Sequence, residues 1–229
     1  MRLELGSAVH CADGAYGELA DVVIDPIRRR VTHLVVQPHH RHDLARLVAI
    51  ARAHPLAPGS VALSLDLTIA EIDQLEPLQK SAYLRVGELP IEDPDWEVGI
   101  ENILALPYYG GLNPGGVGLE APSGVGPVAF DDHVTALYDR LPKDRIEVRR
   151  TSPVISSDNH RLGRVDGFVV GDEQRITHLV LEYGHLWGKR EITIPISAVT
   201  KIENDEVSLS LSKDQVGELE SVPIHRWPT

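Results

Sequence analysis

Three histidines and a carboxylate stand within five residues, at His39, His40, His42 and Asp43. Imidazole nitrogens and carboxylate oxygens are good ligands for zinc or nickel. The His-His-x-His spacing fits no standard structural site, so the loop reads as solvated and no metal is assigned to it. A metal-binding sensor using this loop is an alternative reading. Two other histidines, His33 and His178, share one context, Thr-His-Leu-Val. On strand alternation each shares a face with the Val31 or Ile176 two before it and an apolar residue two after. That is the pattern of a packed wall; a general base needs an oriented partner and a substrate pocket. The carboxylates Asp166, Asp172, Glu182 and Glu191 lie on or beside strands. Paired acids can do glycosidase chemistry, but nothing brings two of these together, and they read as solvated strand faces. There is no Gly-x-Ser-x-Gly elbow, no His-Glu-x-x-His and no phosphate loop. The chain therefore reads as a non-enzyme with no catalytic residue and no cofactor.

Recognition residues are a different matter. His185, Leu186, Trp187, Lys189 and Arg190 cluster between Gly184 and Glu191. Trp and Arg dominate interface hot spots, so these five form the candidate partner-binding surface. The basic run Arg28-Arg29-Arg30 falls in a tight turn and reads as a solvated hairpin tip. Cys11, the only cysteine, reads as a small buried or half-buried hydrophobe.

The elements that position these residues repeat. Val31–Val36 (VTHLVV) recurs as Ile176–Leu181 (ITHLVL), 145 residues on. GELADVVID from Gly17 matches GRVDGFVVG from Gly163, and LDLTIAEIDQLEPL from Leu65 matches LSLSKDQVGELESV from Leu209. Asp13-Gly14 and Asp158-Asn159 mark tight turns. Short runs rich in Val, Ile and Leu follow each turn, as strands require. Thr68 with Glu71, and Ser212 with Gln215, fit the capping box that starts a helix. Each copy thus reads as about five strands and a short closing helix. Residues 1–79 form the first domain, 80–145 an acidic Gly/Pro-rich linker, 146–223 the second domain and 224–229 a tail. Trp96, Ile100, Ile103 and Leu104 give the linker its packing residues, and Val134–Leu141 a strand leading into the second copy.

Composition excludes several classes. Apolar residues make up 42% of the 229, enough for a packed core. No apolar run approaches the roughly 18–20 residues of a membrane span, and the amino-terminal residues do not read as a signal peptide. The net charge is −12, with the acid concentrated in the middle. Nucleic-acid binding draws on clustered Lys and Arg, so direct nucleic-acid contact is not expected. One cysteine suits a reducing cytoplasm.

The stretch RVDGFVVGDEQRITHLVLEYGHLWGKREITIPISAVTKI, from Arg164, closely resembles the PRC-barrel family, and Gly184–Val199 a bacterial branch whose members often carry two such domains. The resemblance covers 146–223 strongly and 3–79 more weakly. The first copy departs from it where PHHRHDLARLVAIA replaces GHLWGKREITIPIS. It implies a mainly β protein, two small β-barrels in tandem, each closed by a short helix. Relatives include the cytoplasmic part of the photosynthetic reaction-centre H subunit and the carboxy-terminal domain of a ribosome-maturation factor. These domains bind or scaffold. The resemblance therefore implies a soluble interaction protein with a protein partner or self-association; an accessory role in RNA or ribosome metabolism is the alternative. Association with a photosynthetic complex depends on the organism. Fold alone does not carry function.

Overall fold

A computed structural model describes residues 1–39, 41–85, 96–102, 133–184, 189–203 and 206–223. The chain is mainly β. In the first half β1 (Arg2–Glu4), β2 (Ala8–Cys11), β3 (Gly14–Asp25), β4 (Arg30–Gln37), β5 (Arg46–Ala49), β6 (Ala53–Pro55) and β7 (Leu63–Leu65) precede α1 (Ile69–Asp73). The middle holds β8 (Gln79–Arg85), β9 (Trp96–Asn102) and β10 (His133–Pro142). The second half repeats the first: β11 (Ile146–Arg149), β12 (Pro153–Ile155), β13 (Arg161–Val170), β14 (Ile176–Tyr183), β15 (Arg190–Pro195), β16 (Val199–Glu203), β17 (Glu206–Leu209), α2 (Lys213–Gly217) and β18 (Ser221–Pro223).

Each half curls a sheet into a half-barrel. One sheet runs β5-β4-β3-β2-β7-β6, the other β16-β17-β12-β13-β14-β15-β18. A 3₁₀ turn at Ile50–Arg52 carries β5 into β6, and another at Ile196–Ala198 carries β15 into β16. The equivalence extends to irregularities. The ladder skips Tyr16 and Leu162, then Ala20 and Asp166, then Thr32 and Thr177, in corresponding places of the two halves. Such bulges bend a strand and sharpen its twist, which is how short sheets curl. Both helices have the full capping box. In both, the turn aspartate also accepts from the first helical N–H: Ile69 to Asp13 at 2.9 Å, Lys213 to Asp158 at 3.1 Å. The PHHRHDLARLVAIA segment, divergent in sequence, keeps the strand: Ala49 pairs with His33 as Pro195 pairs with His178.

The halves exchange their first strands. Strand β1 pairs not with its own half but with β13, Leu3 opposite Phe168. Strand β11 pairs with β3, Val148 opposite Val22. These pairs occupy matching positions, so the exchange is reciprocal. Leu3, Val22, Val148 and Phe168 are fully buried and belong to one apolar cluster that includes both half-barrels. Each fully buried apolar side chain contributes about 1.5–3 kcal/mol. Gly6, at φ +87°, makes the turn from β1 to β2; that angle suits glycine, and a Cβ there would strike the Arg150 guanidinium at 2.6 Å.

The linker span holds three strands in the order β8-β10-β9. The strand expected at Val134–Leu141 lies within β10; β8 and β9 go beyond that expectation. Leu78 and Leu141 pack with Val23, Val35 and Ala45 in a second, smaller apolar cluster on the outer face of the first half. The Gly/Pro-rich stretch, the tail, Ile103 and Leu104 lie outside the described residues, as do the side chains of Trp96 and Ile100. No helix among the described residues is long and apolar enough to cross a membrane.

Candidate functional site

Of the five residues expected to meet a partner, His185, Leu186 and Trp187 lie outside the described residues. Lys189 and Arg190 stand where β15 begins. Lys189 Nζ is 2.7 Å from Glu182 Oε1, and the Arg190 guanidinium carbon is 5.4 Å from the centre of the Tyr183 ring. Glu182 also takes both arms of Arg164, each at 3.1 Å. Burial raises the Glu182 pKa, but hydrogen bonds from Lys189 and Arg164 outweigh it and hold the carboxyl below its usual range. The corresponding first-half pair is neutral on one side, Gln37 donating to Glu18 at 2.9 Å. Glu182 and Asp166 are 4% and 1% exposed, so neither lies on the solvated face expected of it. Asp166 is the residue that the β13 ladder skips.

The same geometry corrects the face assigned to His33 and His178. Thr32 and Thr177 are skipped in the ladder, so Val31 and Ile176 turn into the core with the leucines, while the histidines turn outward with Val35 and Val180. Thr32 Oγ1 donates to the Val23 carbonyl at 3.1 Å, and Thr177 Oγ1 to the Val169 carbonyl at 3.1 Å. A hydroxyl has one hydrogen. With it used, the oxygen accepts from His33 Nδ1–H at 3.1 Å and from His178 Nδ1–H at 3.0 Å. The repeated Thr-His pair thus closes a bulge. Burial, then the Arg145 charge, lowers the His33 pKa.

The basic run is not a free tip. Arg29 donates across the junction to the carbonyls of Ile196 and Val199, at 2.9 and 3.1 Å. Arg30 meets Glu173 at 2.6 Å, and Arg30 and Arg175 form an isolated bridge between the halves. Only Arg28, 70% exposed and paired with Asp25, fits the expectation. In the His-rich loop Asp43 is engaged by Arg41 at 3.0 and 2.9 Å, and His40 lies outside the described residues. No three ligating side chains gather for a metal among the described residues. Cys11 is buried, and burial with the Asp13 and Asp73 charges pushes its thiol up to about 11.

A buried charged cluster sits where β11 joins the first half, and sequence reading missed it. Asp21, Asp139 and Glu147 are 6%, 1% and 0% exposed. Arg149 donates to Asp139 and reaches Glu147 at 3.4 Å. Glu147 Oε1 has no hydrogen-bond partner among the described residues. Burial, then the Asp21 and Asp139 charges, raise the Glu147 pKa well above the usual range, and Arg149 offsets only part of this. A signal existed: Arg2-Leu3-Glu4 aligns with Glu147-Val148-Arg149, an apolar core residue between charges of reversed sign.

Beside this cluster opens a cleft of about 290 Å³. The end of β11 and the turn after it supply Arg149, Arg150 and Thr151. Strand β3, paired beside β11, supplies Glu18 and Asp21. Gly6 and Gln37 complete it.

Comparison with known proteins adds one match. Residues 139–217 match the model of a family described as an uncharacterized protein conserved in bacteria (DUF2171). The matched stretch runs from within β10 through α2 and includes β11, the strand lent to the other half. No curated protein matches the chain.

Proposed function

We propose that this chain is a non-enzymatic, cytoplasmic interaction protein built on PRC-type barrels, and that it binds another protein, or itself, through the loop joining β14 to β15. One observation carries the reading. Bulges, helix caps and strand registers repeat across the halves, while the sequence of the loop after the Thr-His-Leu-Val strand does not. A kept scaffold with a changed loop is the usual arrangement of a binding site. The resemblance of Gly184–Val199 to PRC barrels supports a scaffold role over chemistry. Lys189 and Arg190 give the loop's end a basic rim, and Trp187 supplies the aromatic anchor typical of hot spots.

The test is affinity capture from native extract with the wild-type chain and Trp187→Ala in parallel, alongside light scattering of each. The expected result is one enriched protein, or a dimer, that the wild type gives and the variant loses. A monomeric wild type that enriches nothing, or binding untouched by Trp187→Ala, overturns the reading.

A further inference from the structure

The cleft beside β11 contains an arginine that the fold does not use. Among the described residues nothing accepts a hydrogen bond from the Arg150 guanidinium, and its Nε is buried without a partner. Leaving such a donor unmet costs about 1–3 kcal/mol. The guanidinium lies against Gly6, whose missing side chain makes the room. Thr151, Glu18 and Asp21 line the same cleft. The matching place beside the second half keeps neither Arg150 nor Glu18. There Leu5 occupies the position of Arg150, and Arg164 is taken by Glu182.

We propose that this cleft binds one small α-hydroxy or α-amino carboxylate per chain, its carboxylate on Arg150 and its hydroxyl or ammonium on Glu18. The planar fork of a guanidinium matches a carboxylate through two parallel hydrogen bonds. Carboxylates in the lining, Glu18 and Asp21, select against a dianion such as phosphate, and reward a ligand that carries a donor next to its acid. Glu18 already accepts from Gln37, and a carboxylate has about four lone-pair sites. Size agrees: about 290 Å³ lies at the lower end of ligand pockets, which run from roughly 300 to 1,000 Å³. The cleft residues are not those of the protein-contact reading, so the two proposals stand or fall apart.

Calorimetric titration of the full chain with lactate, alanine, acetate and phosphate tests it. Lactate or alanine should bind at one per chain and more tightly than acetate, with phosphate weakest. Arg150→Gln should weaken binding at least tenfold, with its melting temperature checked against the wild type. If that variant unfolds, Thr151→Val provides the second measurement, expected to weaken binding severalfold. No saturation by lactate or alanine up to roughly 20 mM, where binding energy is negligible, overturns the proposal. So does tighter binding of phosphate, two sites per chain, or affinity unchanged in the folded variants.

Discussion

Glu147 is the residue whose behaviour the surroundings fix most tightly. It is fully buried beside Asp21 and Asp139, with one arginine in contact. Its raised pKa means that the folded chain keeps a proton which the unfolded chain has already released. The unfolded state therefore binds fewer protons, and stability falls as pH rises from about 4.5 toward the folded value. Glu147→Gln removes that slope. The variant should be more stable than wild type at pH 8, with the two converging below pH 4; urea denaturation across pH reads this. A variant less stable at every pH would mean that the carboxylate is needed ionised. The reversed charges were legible, but nothing local places Asp139 beside Glu147, because Asp139 comes from β10, a strand that pairs with β8 and β9. The Thr-His pairs were visible as repeats, but the bulge that turns them outward was not, since one skipped residue inverts every face beyond it.

At the scale of elements, strands, turns and caps were legible because each leaves a local mark. Alternation marked the strands, Asp-Gly and Asp-Asn the turns, and the Thr68 and Ser212 boxes the helices. Strand exchange left no such mark: Leu3 faces the same kind of apolar neighbour in either sheet. Its consequence is measurable. Leu3→Ala removes a fully buried side chain and should cost about 2–5 kcal/mol. The damage should fall on β13, at Gly167–Val169, more than 160 residues away along the chain. Hydrogen exchange of the full chain should show protection lost there while β3, which pairs with β11, loses less. Loss confined to β2 and β3 would contradict the exchange.

At the scale of the molecule, one apolar cluster joins both half-barrels, and Arg29 ties the first hairpin to the second half. The whole should unfold in one transition. Arg29→Ala loses two charge-assisted bonds and should lower stability by about 1.5–3 kcal/mol, shifting the urea midpoint with the slope unchanged. Two separate transitions in the wild type would refute the shared core. That the halves are duplicates was readable from the sequence. That they are interlocked was not, because offset matching compares copies without saying which one a strand serves.

The reciprocal exchange also bears on how the two copies drifted apart. Two separate identical chains that traded first strands would form a twofold dimer, in which every substitution is made twice, once in each copy. Joined in one polypeptide, each position mutates alone. Arg2 and Glu4 on one side and Glu147 and Arg149 on the other are matched sites of opposite charge, a combination that no exact twofold dimer of one sequence can hold. A single chain can thus keep a symmetric frame and place Arg150 on one side only, with Leu5 at the matching position.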